Sequence, residues 1–195
     1  MDKGMDNRTK HRKNTAVRLT AVLLITGLAL FVGYRYMQLR SASEHADKVM
    51  KTLSSVIPGF GEDTGVSSSQ GRDPLPAVVI DDKDIVGCIE VPSIDLAAPV
   101  TAAGYEEEGF ASVVDGSPVK GRFRLRGGRD DVFRKLAKAQ PGDTAVFTDI
   151  DGVRYHYRVT TQFHLKDWNE ADNDLMLCYR TDDQTRFVLG CTRSE

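Results

Sequence analysis

Cysteine is scarce in the 195-residue sequence, which contains only Cys88, Cys178 and Cys191. Three scattered thiols are too few for a disulfide framework, and they lack the paired spacing of a metal site. The odd number leaves at least one thiol free or bonded to another chain, although one disulfide stays possible in an exported domain. The sequence therefore excludes a disulfide-rich scaffold, and we predict neither a metal ion nor another cofactor.

A basic folded domain is also absent. Residues 1–18 contain six Lys/Arg and two Asp, a net charge of +4, whereas the rest of the chain carries −6 for an overall −2. A nucleic-acid-binding protein carries its positive charge on the folded domain. The charge distribution therefore argues against nucleic acid as a partner.

Charged residues are missing from residues 19–34, LTAVLLITGLALFVGY, and further apolar residues extend the run to Leu39. Crossing a bilayer core takes about 20 apolar residues, with a lower limit near 17. No small-residue cleavage site follows the run. We therefore predict an uncleaved signal anchor over 19–39, a single-pass protein with residues 1–18 in the cytoplasm and its C-terminal domain outside the cell.

The rest of the chain divides into three segments. Apolar residues at three- and four-residue steps over 40–57 predict an amphipathic stalk helix that packs on the domain or on a neighbouring chain. Residues 58–77, rich in Gly, Ser and Pro, are interpreted as a linker. Over 78–195 alternating runs predict strands, including a hairpin turning at Asp151-Gly152, and RDDVFRKLAKA predicts a helix of about three turns. This domain is expected to be mostly β, with one or two short helices, in a closed or nearly closed barrel.

The segment GRFRLRGGR, residues 121–129, combines strand alternation with a glycine pair. Phe123 and Leu125 are predicted to face the core, which leaves the other face of the strand to arginines. We interpret that face as solvated, and binding of an anionic partner is the alternative. The arginines concerned are Arg122, Arg124, Arg126 and Arg129.

The order of five segments resembles that of the sortases, the membrane-anchored cysteine transpeptidases of Gram-positive cell walls. Together the segments cover about residues 85–191, and the resemblance implies a sortase-like closed β-barrel. The segments are VGCIEVPSIDLAAPV (86–100), GSPVKGRFRLRGGR (116–129), FRKLAKAQPGD (133–143), GVRYHYRV (152–159) and LMLCYRTDDQTRFVLG (175–190).

Sortase chemistry needs a Cys thiolate that attacks a peptide carbonyl, a His that transfers the proton, and an Arg that stabilises substrate or oxyanion. The resemblance places the family His at Gly128, the family Cys at Arg180 and the family Arg at Arg186. Glycine has no side chain that can transfer a proton, and a guanidinium stays protonated at any relevant pH. The resemblance therefore implies a degenerate member of the family that has lost its chemistry, a pseudoenzyme.

An active cysteine transpeptidase is the alternative. Cys178 lies one pleat repeat before Arg180 and faces the same way, so it is a candidate for a displaced nucleophile acting with Arg186. This alternative also needs a proton shuttle, for which His156 and His164 are the candidates in the domain.

For an inactive member the resemblance implies an extracytoplasmic binding or scaffolding module in cell-surface protein assembly. Its partners would be the membrane, cell-surface proteins, a sorting-signal peptide or an active sortase; a purely structural surface domain is a third interpretation. Some sortases bind Ca²⁺ between acidic loops, but here we interpret the acidic residues as solvated. They are Glu106–Glu108, Asp167, Glu170, Asp172 and Asp174.

Overall fold

The computed structural model describes residues 24–31, 44–57, 71–105, 107–128, 131–166, 173–181 and 185–194. The chain divides into two compact units, Met1–Ser41 and Ala42–Glu195. In the first unit, residues 24–31 form helix α1, whose large apolar side chains are exposed. Within the described ranges, no helix has the length and apolar character that crossing a membrane requires. Residues 19–23 and 32–39 lie outside the described residues, so the anchor over 19–39 stays a prediction.

The second unit contains nine strands, eight of which close into a barrel. The order β2-β3-β4-β5-β8-β9-β7-β6 is completed by pairing of β6 with β2, and β1 extends β2 as a short hairpin. The pairs β3–β4 and β5–β8 are parallel, and the other pairs are antiparallel. The predicted mostly-β closed barrel is confirmed. The strands are β1 Val78–Ile80, β2 Lys83–Val91, β3 Leu96–Thr101, β4 Ala111–Ser117, β5 Gly121–Gly127, β6 Thr144–Asp149, β7 Arg154–Leu165, β8 Leu175–Arg180 and β9 Arg186–Arg193.

The barrel interior is filled by the inward side chains of alternate strand positions. Phe123 of β5 packs edge-on against Phe147 of β6, with ring centroids 4.9 Å apart. Leu125 and the side chains of Tyr155 and Tyr157 are also fully buried in this cluster, as the alternation predicts.

Helix α2 (residues 44–56) packs on the outside of the barrel. Its buried side chains include Val49 and Leu53, which share a cluster with Ile85 and Cys88 of β2 and with Phe110. The helix and the barrel belong to one compact unit. A domain beginning at residue 78 therefore omits a helix that covers an apolar face of β2.

The helix predicted over RDDVFRKLAKA is shorter than expected. Helix α3 spans Asp131–Arg134 and continues only as a 3-10 turn over Lys135–Lys138, while residues 129–130 lie outside the described ranges. Ala139 is already extended at the end of this turn, and Pro141, which cannot continue a helix, follows two residues later. A second 3-10 turn covers Pro92–Ile94.

The hairpin between β6 and β7 turns where the sequence predicts it. Gly152 has φ +85°, a value that glycine adopts without strain. The fully buried carboxylate of Asp149 accepts backbone N–H bonds from Asp151 and Val153 at 3.0 and 2.9 Å. Burial raises the pKa of this carboxyl, and the hydrogen bonds oppose that shift.

Candidate functional site

The ends of β5 and β8 and the start of β9 bring together Gly128, Arg180 and Arg186, the positions at which the motif resemblance predicts the family His, Cys and Arg. Arg126 pairs with Cys178, and Cys178 pairs with Val188. Residues paired directly across strands share one face of a sheet. One pleat repeat further on, Arg180 pairs with Arg186, and Gly128 follows β5 at the corresponding level.

A cleft of about 480 Å³ opens at this edge. Its volume lies within the range of small-ligand and peptide-side-chain sites. Its lining is mixed in charge: three arginines stand with two glutamates, two aromatic rings, a serine hydroxyl and the glycine pair. The lining residues are Arg126, Arg180, Arg186, Glu107, Glu108, Tyr105, Phe110, Ser112, Gly127 and Gly128.

Glu107 and Glu108 form the acidic wall of the cleft. Side chains from α2 and from the start of β2 hold this wall in place. Lys83 Nζ lies 3.0 Å from Glu107 Oε2, and His45 Nε2 lies 3.9 Å from Glu107 Oε1. The same two side chains, Lys83 and His45, contact the ring of Phe110, with Lys83 Nζ 5.6 Å from its centroid. The Tyr105 hydroxyl donates to Asp84 Oδ2 at 3.3 Å.

The two glycines at the end of β5 have different roles. A Cβ on Gly127 would lie 2.0 Å from the ring of Phe133, so packing requires a glycine there. Gly128 is half-buried and lines the cleft. At Gly128, where the motif resemblance predicts the family His, the cleft thus presents backbone without an imidazole.

Cys178 lies beneath the cleft and has no exposed surface. It packs with Leu165, Met176 and Val188 on the outer face of the sheet and is not among the residues that line the cleft. Burial raises the pKa of its thiol to about 12, although the positive charges of Arg186 and Arg126 oppose the shift. The thiol is therefore protonated and inaccessible, whereas Arg186 does line the cleft.

Neither candidate proton shuttle lies beside Cys178. His164 pairs with Phe187, and their rings meet edge-on at 5.4 Å. Phe187 and Val188 alternate faces, so His164 lies on the face of the sheet opposite Cys178. His156 pairs with Val146 near the start of β7, far from the end of β7 that pairs with Arg186.

The arginine face of β5 is only partly solvated, contrary to our interpretation. Arg122 is exposed and has φ +53°, but only 12% of the Arg124 side chain is exposed. Arg124 Nη1 lies 3.7 Å from Asp115 Oδ2. Alternation predicts which face a side chain takes but not what packs over that face. Arg129 lies outside the described residues.

The acidic residues do not converge where the structure describes them. Asp174 accepts a hydrogen bond from the backbone N–H of Arg193 at 2.7 Å, at the end of the barrel opposite the cleft that Glu107 and Glu108 line. Across the described ranges, no group of three potential metal ligands occurs. Glu106, Asp167, Glu170 and Asp172 lie outside those ranges.

The three cysteines are free and buried, so the described domain contains no disulfide. Burial raises the pKa of Cys88 and of Cys191 to about 12 as well. Sequence reasoning missed the contribution of Tyr105 and Phe110 to the cleft and that of His45 to its acidic wall. No local pattern marks them, because each acts through partners distant in the chain.

No protein-family model matches the sequence, and no curated protein matches it. Solved structures do match. The sortase D5 transpeptidase of Clostridium perfringens aligns over 74% of this chain and 99% of its own, with 16% identity and a TM-score of 0.53. Sortase C1 of Streptococcus agalactiae aligns over 80% and 98%, with 16% identity and a TM-score of 0.50. Sortase A from Corynebacterium diphtheriae aligns over 80% and 84%, with 14% identity and a TM-score of 0.50.

The closed eight-stranded barrel, with its cleft at the ends of β5 and β8, defines the class of fold. The chain has a sortase-like fold, as the order of its motifs predicts.

Proposed function

We propose that the chain is a sortase-like module that binds a peptide in its cleft without transferring it. The observation that carries the proposal is the row Gly128, Arg180 and Arg186 at the cleft. Transpeptidation needs a thiolate nucleophile and a group that protonates the leaving amine. A glycine and a protonated guanidinium at those two positions supply neither.

Peptide binding is supported by the composition of the cleft. Tyr105 offers surface to an apolar side chain, and Ser112 with the backbone of Gly128 offers hydrogen-bonding groups. A site of this kind takes an extended segment with mixed side chains. The cleft is open to such a segment without any reaction at its centre.

We place this module outside the cell, tethered by residues 19–39, as a binding or scaffolding component of cell-surface protein assembly. The uncharged run with its basic flank supports this location. An active sortase and its surface-protein substrates are the partners that the sortase-like fold suggests. The tether also keeps the module near such partners at high local concentration.

An active transpeptidase is the second candidate, because Cys178 lies on the cleft side of β8 in register with Arg126. For that function the thiol would need to become exposed and lose its proton. Its burial and its pKa of about 12 oppose both steps.

One experiment separates these functions. The full chain, kept in detergent micelles because of its apolar segment, is incubated with a fluorescent sorting-signal peptide and an amine acceptor. We expect saturable binding by fluorescence anisotropy and an unchanged intact mass. An acyl adduct that is absent from Cys178→Ala but present in Cys191→Ala would establish the transpeptidase instead. Neither binding nor adduct would favour a purely structural domain and overturn the proposal.

A further inference from the structure

Two arginines face each other across the end of the β8–β9 pair. Arg180 and Arg186 are direct cross-strand partners, and both line the cleft. Like charges placed directly opposite in an antiparallel pair are destabilising. Arg180 is exposed and forms no hydrogen bond or ion pair with any residue that the structure describes. Within the described part of the chain, no contact uses this guanidinium.

An anion bound between these two side chains would replace their mutual repulsion with attraction to both guanidinium groups. The planar guanidinium presents its donors as a fork that matches the two oxygens of a carboxylate. Arg126, one pleat repeat away on β5, adds a third positive charge to the same side of the cleft. The three arginines are therefore suited to bind a compact, planar, singly charged group.

The opposite wall limits how much negative charge a ligand can carry. Glu107 is neutralised by Lys83, but Glu108 has no ion-pair partner among the described residues. A polyanion such as a glycerol-phosphate polymer would meet this carboxylate and be repelled. A peptide with one carboxylate can place that group against the arginines. Its neutral backbone and apolar side chains then lie against the wall that contains Tyr105.

We infer that the cleft recognises a peptide carboxylate, with Arg180 as its anchor. The inference rests on the proposed peptide-binding function and names the group that is recognised. The carboxylate has two sources, the C-terminus of a peptide or an Asp or Glu side chain. Both sources present the same carboxylate group to Arg180, and the experiment distinguishes between them.

The test uses immobilised full chain and three random hexapeptide pools, with retained peptides quantified by mass spectrometry. The first pool has a free C-terminal carboxylate and lacks Asp and Glu. The second has a C-terminal amide and contains Asp and Glu. The third has a C-terminal amide and lacks Asp and Glu, so that it carries no carboxylate.

We expect the first or the second pool to be retained at least tenfold more than the third, the effect of one charge-assisted hydrogen-bonded pair. Equal retention of all three pools would overturn the inference and leave peptide binding intact. Retention of no pool would overturn both. Retention of a glycerol-phosphate polymer alone, run as a fourth sample, would assign the cleft to a polyanion and also overturn both.

Substitutions test whether Arg180 is the residue that binds the carboxylate. Arg180→Gln is expected to lower retention of the preferred pool by about tenfold, and Arg180→Lys by less, because lysine keeps the charge but loses the fork. The matched control is Arg158→Gln, on an exposed position of β7 that pairs with Thr192 at the far end of β9. Unchanged retention in Arg180→Gln, with an unfolding midpoint no lower than that of the wild type, would overturn the role of Arg180.

Discussion

The two ends of the barrel use charge differently. At the end that carries the β6–β7 turn, charges are paired: Arg72 with Asp151, Lys120 with Asp73, and the buried Asp149 with backbone N–H groups. At the cleft end, Arg180 and Arg186 face each other as like charges. Charge at the turn end stabilises the fold, whereas at the cleft end Arg180, which is exposed and forms no ion pair with a described residue, is available to a ligand.

The largest difference is expected in thiol reactivity. Burial holds the pKa of Cys178 at about 12, whereas an exposed cysteine titrates near 8.5. At neutral pH the thiolate fraction of an exposed cysteine is therefore roughly a thousandfold larger than that of Cys178. Arg180→Cys should therefore gain one iodoacetamide adduct within minutes at pH 7.5, while the wild type gains none. Intact mass spectrometry measures this, and unfolding in guanidinium should expose three thiols in the wild type and four in the variant. Rapid alkylation of native Cys178 would show that the cleft already holds a reactive thiol.

The carboxylate at the turn end is expected to matter most for stability. Asp149→Ala leaves the backbone N–H groups of Asp151 and Val153 without their acceptor, which should lower the free energy of unfolding by about 2–3 kcal/mol. Urea unfolding measures the loss. Asp149→Asn keeps an acceptor oxygen and should lose less. Equal losses would mean that the negative charge, rather than the turn bonds, stabilises this end.

The same carboxyl gives a pH dependence with a definite sign. Because burial raises its pKa in the folded protein, protonation favours the folded state. Its contribution to stability is complete below the unfolded pKa and is lost as pH rises through the folded pKa. The unfolding free energy of the wild type should therefore decrease between pH 4 and neutral pH, roughly the range above the ordinary carboxyl pKa. Asp149→Asn, which has no carboxyl at this position, should not show that decrease. An identical pH profile in the variant would contradict the assignment.

The glycine pair allows a comparison within the cleft. Gly127→Ala forces a methyl group into the ring of Phe133 and should cost about 1–3 kcal/mol. Gly128 is only half-buried at the cleft, so Gly128→Ala should cost less. Thermal unfolding of the two variants measures the difference. A larger loss in Gly128→Ala would mean that this backbone, too, is fixed by packing.

The smallest expected effect is a gain in folding stability. Arg180→Gln removes the like-charge pair with Arg186 and should raise the free energy of unfolding by about 0.5 kcal/mol at low salt. The gain should shrink as added salt screens the repulsion. A loss of stability in this variant would show that Arg180 serves the fold rather than a ligand.

Local pattern and motif order predicted much of this fold. The alternation in β6 and β7 and the turn at Asp151-Gly152 are set by neighbours in the chain, so a hairpin could be located from the sequence. The spacing of Val49 and Leu53 likewise predicted the buried face of α2. That this face covers β2 depends on residues more than thirty positions away, which periodicity does not encode.

The order of motifs pointed to one wall of the cleft and missed the other. The resemblance singles out Gly128, Arg180 and Arg186, and the register of β5, β8 and β9 brings these residues to one cleft. The acidic wall was missed because Glu107 is held by Lys83 and His45, which come from other elements. The run of glutamates marked a charged loop, but its position opposite the arginines follows only from barrel closure.

The most direct test of a binding cleft at one end of the barrel is a ¹H–¹⁵N NMR titration of the full chain with the retained peptide. The account predicts shifts of the Gly128, Arg180 and Ser112 amide signals, with Gly152 and Gly121 at the other end unchanged. Shifts confined to Gly152 and Gly121, or a slowly growing second set of signals that marks an acyl adduct on Cys178, would contradict it.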